Sequence, residues 1–312
     1  MARPAMHPAI ARALAAFPAR VARRGEASLS VILRDRLARD GASAWGHGNL
    51  TGDGFPLELS FTTGDDRLRY TAEPASASTA PGERLDTVLR ILRSLRAAVP
   101  TETVAAFRDV QRSGPLSYGA WLGARHGADG DQCKIYVEVP AEAPVLPGFR
   151  GPRLSDRAVT PKMIAYCPDS RTFEAYYGVH ALSPQHLPRL LGHVGLESRA
   201  FTLAGWLERA YGHRLRDKLP GPSAGLSYAM SADGAPRAVT LFLVARCLWG
   251  SDARIRRSFV AAARELGADT ERYCRVTASL EQSQLWTTRH GLVGLTLGPS
   301  GAFALNVGVR PE

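Results

Sequence analysis

One pattern recurs along the chain: two short alternating runs joined by a turn of Gly, Asp, Pro or Ser, with stretches of helical periodicity between the pairs. Residues 56–63 and 67–73 flank Gly64-Asp65-Asp66, which is a compact hairpin signal. Runs near 117–125 and 132–139 flank Gly127-Ala128-Asp129-Gly130, and runs near 162–167 and 172–179 flank Pro168-Asp169-Ser170. Two more pairs, near 225–231 and 237–246 and near 291–297 and 302–309, turn at Ala232-Asp233-Gly234 and Gly298-Pro299-Ser300-Gly301. Between pairs, Leu85, Val88, Leu89, Leu92 and Leu95 form one helical stripe, Leu187, Leu190, Leu191 and Val194 a second, and Ile255, Phe259, Ala262 and Leu266 a third. No single unit can bury the apolar face of its own strands, so the units must share one core. About ten strands in an open sheet would curl and leave two bare edges, whereas closure removes both. The expected fold is α+β: a closed antiparallel ten-stranded β-barrel surrounded by α-helices. Residues 8–40 read as two helical segments ended by Pro18 and Gly41. This predicts an N-terminal helical segment over 1–45, packed on a single barrel domain over 46–312 of about five ββα units.

Side chains alternate across a strand, so parity sorts each run into two sets. In the first hairpin Leu57, Leu59, Phe61, Leu68 and Tyr70 share one face, and Glu58, Ser60, Thr62, Arg67, Arg69, Thr71 and Glu73 share the other. Ile135, Val137 and Val139 oppose Lys134, Tyr136 and Glu138; Phe173, Ala175 and Tyr177 oppose Thr172, Glu174 and Tyr176. In the last run Phe303, Leu305, Val307 and Val309 oppose Asn306 and Gly308. In one isolated strand the polar set would simply face water. If helices cover the apolar outside of a closed barrel, the repeated polar set points into the lumen, which becomes a chamber for small molecules.

Composition excludes several other classes. The net charge of +10 is compatible with nucleic acid, but the arginines are scattered over presumptive helix faces and no RNA-binding motif appears, so a small anionic substrate accounts for it as well. Cys133, Cys167, Cys247 and Cys274 are far apart, and none of the eight histidines forms a ligand pair at metal spacing, so no metal site is expected. No apolar run approaches the length that spans a bilayer, so no membrane association is expected and a cytoplasmic location is.

The residues on the polar face resemble the aromatic prenyltransferases of the ββα barrel type (ABBA, or PT-barrel), nearest the indole or dimethylallyltryptophan synthase branch. Pro56-Leu57-Glu58-Leu59-Ser60, followed by Arg69-Tyr70-Thr71-Ala72-Glu73, is similar to that branch's P-L-E-x-S strand and its arginine partner, and Lys134-Ile135-Tyr136 is similar to its K-x-Y strand. The resemblance implies that Glu58 accepts a hydrogen bond from an indole N–H and stabilises positive charge during attack. It further implies that Arg69 and Lys134 bind a diphosphate and that Tyr136 and Tyr176 wall the chamber, shielding an allylic cation. Lys134 and Glu58 are the candidate bases that take the final proton.

The chain also departs from that pattern. Where the family carries an alternating R-x-K-x-Y strand, this sequence has Thr172, Glu174 and Tyr176, so two expected cations are missing. Arg246 is the candidate replacement on the diphosphate side, and Glu174 a candidate contact for a positive group on the acceptor. Phe242 and Asn306 join Glu58 and Glu174 as acceptor-binding candidates. There is no DDxxD pair, so no cofactor is expected to be required, and Mg2+ enters only as a possible stimulant that screens phosphate charge. The expected activity is transfer of a dimethylallyl group from its diphosphate to an indole-type acceptor in secondary metabolism, by a monomer or weak homodimer. The alternatives are the same fold acting on a phenolic, carbazole or peptide acceptor, and a non-catalytic barrel that binds an aromatic ligand.

Overall fold

The structure, a computed structural model, describes residues 6–143, 151–156, 158–284, 288–298 and 300–312; Pro299 of the last expected turn lies outside them. Five hairpins are present: β1 (Leu57–Thr62) with β2 (Leu68–Ala72), β3 (Ala120–Gly127) with β4 (Gly130–Glu138), β5 (Val159–Cys167) with β6 (Thr172–His180), β7 (Ser223–Met230) with β8 (Pro236–Val244), and β9 (His290–Leu297) with β10 (Phe303–Val309). Every neighbouring pair is antiparallel, and β1 closes on β10 through Leu59 opposite Val309, Phe61 opposite Val307 and Thr62 opposite Asn306. The ten-stranded closed barrel predicted from the repeat is therefore the observed one. Its hairpin turns all gather at one end, the turn end. The connections to the helices leave from the other, the helix end.

Three helices precede the barrel, α1 (Pro8–Leu14), α2 (Ala19–Ile32) and α3 (Arg34–Asp40). The expected two segments become three because the chain turns at Leu33, where no glycine, proline or capping residue signals a break. After β2 come α4 (Arg84–Ser94) and α5 (Thr101–Gln111), and after β6 come α6 (Leu187–Gly192) and α7 (Ala200–Tyr211). Between β8 and β9 lie α8 (Ala245–Trp249), α9 (Asp252–Glu265) and α10 (Glu271–Val276), while the described residues between β4 and β5 contain no helix.

The hydrophobic core is the layer between the barrel wall and this helical jacket. Leu57, Leu59, Leu68, Leu122, Ile135, Val137, Leu241, Val293, Leu295, Leu305 and Val307 point outward and are buried against Leu29 and Ile32 of α2, Leu85, Val88 and Leu92 of α4, Leu190 of α6, Leu207 of α7 and Ile255 and Phe259 of α9. Burial of each such side chain stabilises the fold by roughly 1.5–3 kcal/mol. Helix α2 packs so close to β2 that a Cβ on Gly25 would stand 2.3 Å from the Leu68 methyl, which is why a helix interior carries glycine there. The start of β9 is fixed to α9 by Asp252, whose carboxylate accepts hydrogen bonds from the backbone of Arg289 and His290 and holds His290 Nδ1 at 2.5 Å. The far ring nitrogen of His290 meets the Tyr273 hydroxyl of α10 at 2.9 Å.

Strand ends are where the parity argument fails. Glu73 follows β2 and leaves the lumen; it is buried among Arg36, Arg84 and the loop before β1, with Arg84 bonded to Oε1, Arg36 Nη1 at 3.8 Å and the Asn49 N–H donating to Oε2 at 2.7 Å. Arg67 folds onto the hairpin turn, where it forms a two-pronged pair with Asp65 at 2.8 and 3.0 Å. Glu138, at the end of β4, accepts from the backbone N–H groups of Ser117, Tyr118 and Gly119. Each has an unpaired group within reach just beyond the ladder, and satisfying it outweighs alternation. Arg246 is a further correction: β8 stops at Val244, and Arg246 belongs to α8, not to the strand.

Removing Glu73 takes away the buried carboxylate that Arg36 and Arg84 share, and such losses cost about 3–5 kcal/mol. Glu73→Gln is therefore expected to lower the denaturant midpoint sharply in equilibrium unfolding, far more than substitution of the exposed Asp86, which pairs with Arg108 on the surface.

Candidate functional site

The lumen encloses a cavity of about 930 Å³. Its wall is built from the polar parity of the strands, and several positions are small: Gly123, Gly291, Gly308, Ala229, Ala238 and Ala304 all line it. These small residues make room for the large ones opposite. A Cβ on Gly123 would meet the Tyr136 ring at 2.9 Å, and one on Gly294 would lie 2.3 Å from Asn306 Nδ2.

Cations occupy the turn-end half. Arg69 on β2 and Arg125 on β3 are direct register partners. Arg69 Nη1 donates to Thr62 Oγ1 at 2.7 Å and pairs with Asp65 at 3.2 Å. Burial and then the neighbouring Arg125 lower the Arg69 pKa from its usual value, but a guanidinium remains charged at any physiological pH. Lys134 on β4 lies beside them along the wall, its Nζ 5.2 Å from the Tyr136 ring centroid and 5.8 Å from that of Tyr176. It is paired with Glu174, whose other oxygen accepts from Ser227 at 2.5 Å, and Tyr176 OH is 3.4 Å from the ammonium. Burial alone would raise the Glu174 pKa; the charge and hydrogen bonds of Lys134, with those of Ser227 and Tyr176, reverse this and hold it at about 2. Tyr176 is driven the other way, by burial and by the Glu174 charge, and keeps its proton. The expected role of Glu174 as a contact for a cationic acceptor is thus met by a group of the protein itself.

The aromatic wall is continuous. Tyr136 and Tyr176 meet edge to face at 6.2 Å, and Tyr176 stacks on Phe242 of β8 at 6.0 Å. Asn306 on β10 faces the cavity over Gly294.

Glu58, second residue of β1, stands toward the helix end and differs from Glu174 in every respect. Among the described residues no group hydrogen-bonds to its carboxyl, and burial pushes its pKa up to about 7. It is clasped by backbone instead: a Cβ on Gly308 would stand 2.4 Å from Oε1, and one on Gly291 2.4 Å from Oε2. Beyond it the helix-end mouth is framed by Asp53, which pairs with Arg289 and, at 3.0 Å, with Arg310. Arg246 reaches the same cavity from this mouth. It lies at the opposite end from Arg69 and does not complete the cationic cluster, because the strand that was expected to carry it ends two residues earlier.

Of the residues picked from the sequence, Glu58, Arg69, Lys134, Tyr136, Glu174, Tyr176, Phe242 and Asn306 all line this one cavity. Arg125, Trp121, Ser227 and Gly291 went unrecognised; Gly308 was placed on the lumen face, but not as a clasp for Glu58. Parity applied to the third strand would have placed Trp121, Gly123 and Arg125 on one face; the roles of Ser227 and of Gly291 depend on cross-strand register, which a single sequence does not print. Among the described residues no group of three His, Cys, Asp or Glu could hold a metal ion, and no helix is long and apolar enough to cross a membrane.

A closed ten-stranded antiparallel barrel with a polar lumen and a helical jacket is the ββα barrel fold of aromatic prenyltransferases. Solved structures of that fold superpose over nearly the whole chain. The 5-dimethylallyltryptophan synthase of Streptomyces coelicolor aligns with a TM-score of 0.75 and 15% identity over 97% of this chain and 95% of its own. The 6-dimethylallyltryptophan synthase of Micromonospora olivasterospora, solved with DMASPP and Trp, gives 0.76 and 16% over 97% and 95%. The prenyltransferase PriB, in a binary complex with product diphosphate, gives 0.73 and 18% over 97% and 96%. The sequence matches no family model and no curated protein.

The two lumen carboxyls should separate cleanly in solution. In a carboxyl-carbon NMR titration Glu58 is expected to pass its midpoint near 7, while Glu174 stays ionised down to about 2. Gly308→Ala, which forces the Glu58 carboxyl aside, should move the first midpoint and leave the second in place.

Proposed function

We propose that the protein is an aromatic prenyltransferase that moves a dimethylallyl group from its diphosphate to an indole-type acceptor. The observation that carries this reading is the division of one lumen into a cationic half, with Arg69, Arg125 and Lys134, and a half with a single unpartnered carboxyl, Glu58, joined by an aromatic wall of Tyr136, Tyr176 and Phe242. The overlay on dimethylallyltryptophan synthases supports it at the level of fold.

In this reading the diphosphate lies against Arg69, Arg125 and Lys134. The allylic C–O bond breaks with its electron pair leaving on the diphosphate, whose growing charge the fixed cations stabilise. The rings of Tyr136 and Tyr176 face the allylic cation, and their bulk keeps water from capturing it. Glu58, as carboxylate, accepts the acceptor N–H and stabilises the positive charge that the ring acquires when its π pair forms the new C–C bond. Loss of a ring proton to a base restores aromaticity, so the balance is prenylated arene, pyrophosphate and one proton. The three cations supply the electrostatic role that a metal fills elsewhere, so the reaction is proposed to run without a required cofactor, with Mg2+ at most a stimulant; turnover in excess EDTA checks this.

The deciding assay incubates the protein with dimethylallyl diphosphate and tryptophan, simple indoles, carbazoles, phenols and indole-containing peptides, and measures pyrophosphate and a mass gain of one prenyl group. Gain on an indole acceptor, lost in Glu58→Gln, is the expected result. Tight binding of aromatics with no pyrophosphate from any donor would reassign the barrel to ligand binding. Because the reaction uses the ionised carboxyl, kcat/KM is expected to rise with pH through about 7.

Stability should run the opposite way. The folded pKa of Glu58 lies above the unfolded value near 4.5, so between 4.5 and about 7 the folded chain holds a proton that the unfolded chain releases, and stability falls as pH rises through that window. Glu58→Gln is free of this penalty. Its melting temperature is expected to exceed the wild type's at pH 8 by an amount reflecting on the order of 1–3 kcal/mol, and the gain should vanish below the unfolded pKa.

A further inference from the structure

Three cations line the turn-end half of the lumen, yet they are not equally available to an anion. Arg69 is shared with Asp65, and Lys134 is tied to Glu174. Arg125 has no acidic partner among the described residues. Glu174 is an unusual neighbour for a phosphate site, since its charge points into the same cavity as the cations.

The geometry around Glu174 is built to hold that charge in place. Lys134 is on β4 and Glu174 on β6, and the strand between them presents Ala165, which is register partner to both Tyr136 and Glu174 and too small to come between them. On its other side Glu174 faces Ala229. Ser227, two residues before Ala229 on β7, donates to the second carboxylate oxygen at 2.5 Å. The ammonium is thereby drawn over β5 toward β6, away from the Arg69–Arg125 pair on β2 and β3.

We infer that Glu174 is an internal counter-anion that competes with the diphosphate for Lys134, acting as a positioning residue that sets how tightly donor and pyrophosphate product are held. The inference rests on the proposed function, because it takes the cationic half of the lumen as the diphosphate site. A diphosphate that engages Lys134 must share it with Glu174 or draw it off, and the leaving pyrophosphate is displaced when the pair closes again. Glu174 touches neither the reacting carbon nor the acceptor; it works through Lys134.

The test measures binding of inorganic pyrophosphate to the full chain by calorimetry in four forms: wild type, Glu174→Gln, Lys134→Met and the double variant. Removing one buried negative charge a few ångströms from the bound anion is expected to tighten pyrophosphate about tenfold or more. Tightening in the same direction is expected when Glu174→Gln is added to Lys134→Met, where the carboxylate has lost its ammonium and keeps only the Ser227 hydroxyl. In turnover, Glu174→Gln should lower KM for the donor together with kcat, as release of pyrophosphate slows, and Glu174→Asp should restore both toward wild type. A carboxylate that only supports the wall predicts weaker binding, so Glu174→Gln binding pyrophosphate equally or more weakly, in either background, overturns the inference. If Glu174→Gln fails to fold with its lysine unpaired, Lys134→Met against the double variant decides alone, since neither half of the pair remains in the latter. Failure of the wild type to bind pyrophosphate is a different result: it removes the diphosphate site, and the functional reading and this inference fall together.

Discussion

The seam between β1 and β10 is the interaction on which the rest of the structure depends. Pairing of Leu59, Phe61 and Thr62 with Val309, Val307 and Asn306 turns a ten-stranded ribbon into a cylinder. In an open sheet of the same strands, the apolar face would pack on helices and the polar face would look to bulk water. Closure keeps the first arrangement and converts the second into an enclosed space, so that Glu58, Arg69, Lys134 and Glu174 change from surface residues into neighbours across a lumen.

Enclosure then makes local detail decisive. Glu58 and Glu174 are the same side chain on the same lumen surface, yet one is held at about 2 and the other pushed to about 7. What separates them is the supply of partners: an ammonium and a hydroxyl for Glu174, and two glycine backbones that approach but offer no side chain for Glu58. Two titratable groups driven apart by their surroundings can fill different roles at one pH, one as fixed charge and one as a group that exchanges its proton.

Much of this was legible in the sequence. The hairpin repeat carried the strand count and closure, because edge exposure leaves few other solutions for ten strands with interleaved helices. Alternation carried the lumen set wherever a residue sat inside a strand, as at Glu58, Arg69, Lys134, Tyr136 and Tyr176. It failed at strand ends, just past β2 at Glu73 and at the last residue of β4, Glu138, where buried guanidinium or backbone N–H groups captured the carboxylate, and at Arg246, where the run of β-branched and aromatic residues passed into a helix without a breaker. The Lys134–Glu174 pair lay beyond reach for another reason: it bridges two strands that are not adjacent, and depends on Ala165 between them being small. Spacing along the chain holds no trace of it.

The seam has a consequence for how the molecule is made. Its two strands are first and last of the ten, so the hydrogen bonds that close the barrel join the most distant parts of the domain. Such pairing carries a high loop-closure cost and forms late. While a ribosome is still producing the later hairpins, β1 stands as an open edge with its outer backbone groups unpaired, and the residues destined for the lumen are in contact with bulk water. The chamber is therefore not enclosed until β10 pairs with β1, and before that the chain carries an edge open to pairing with other chains.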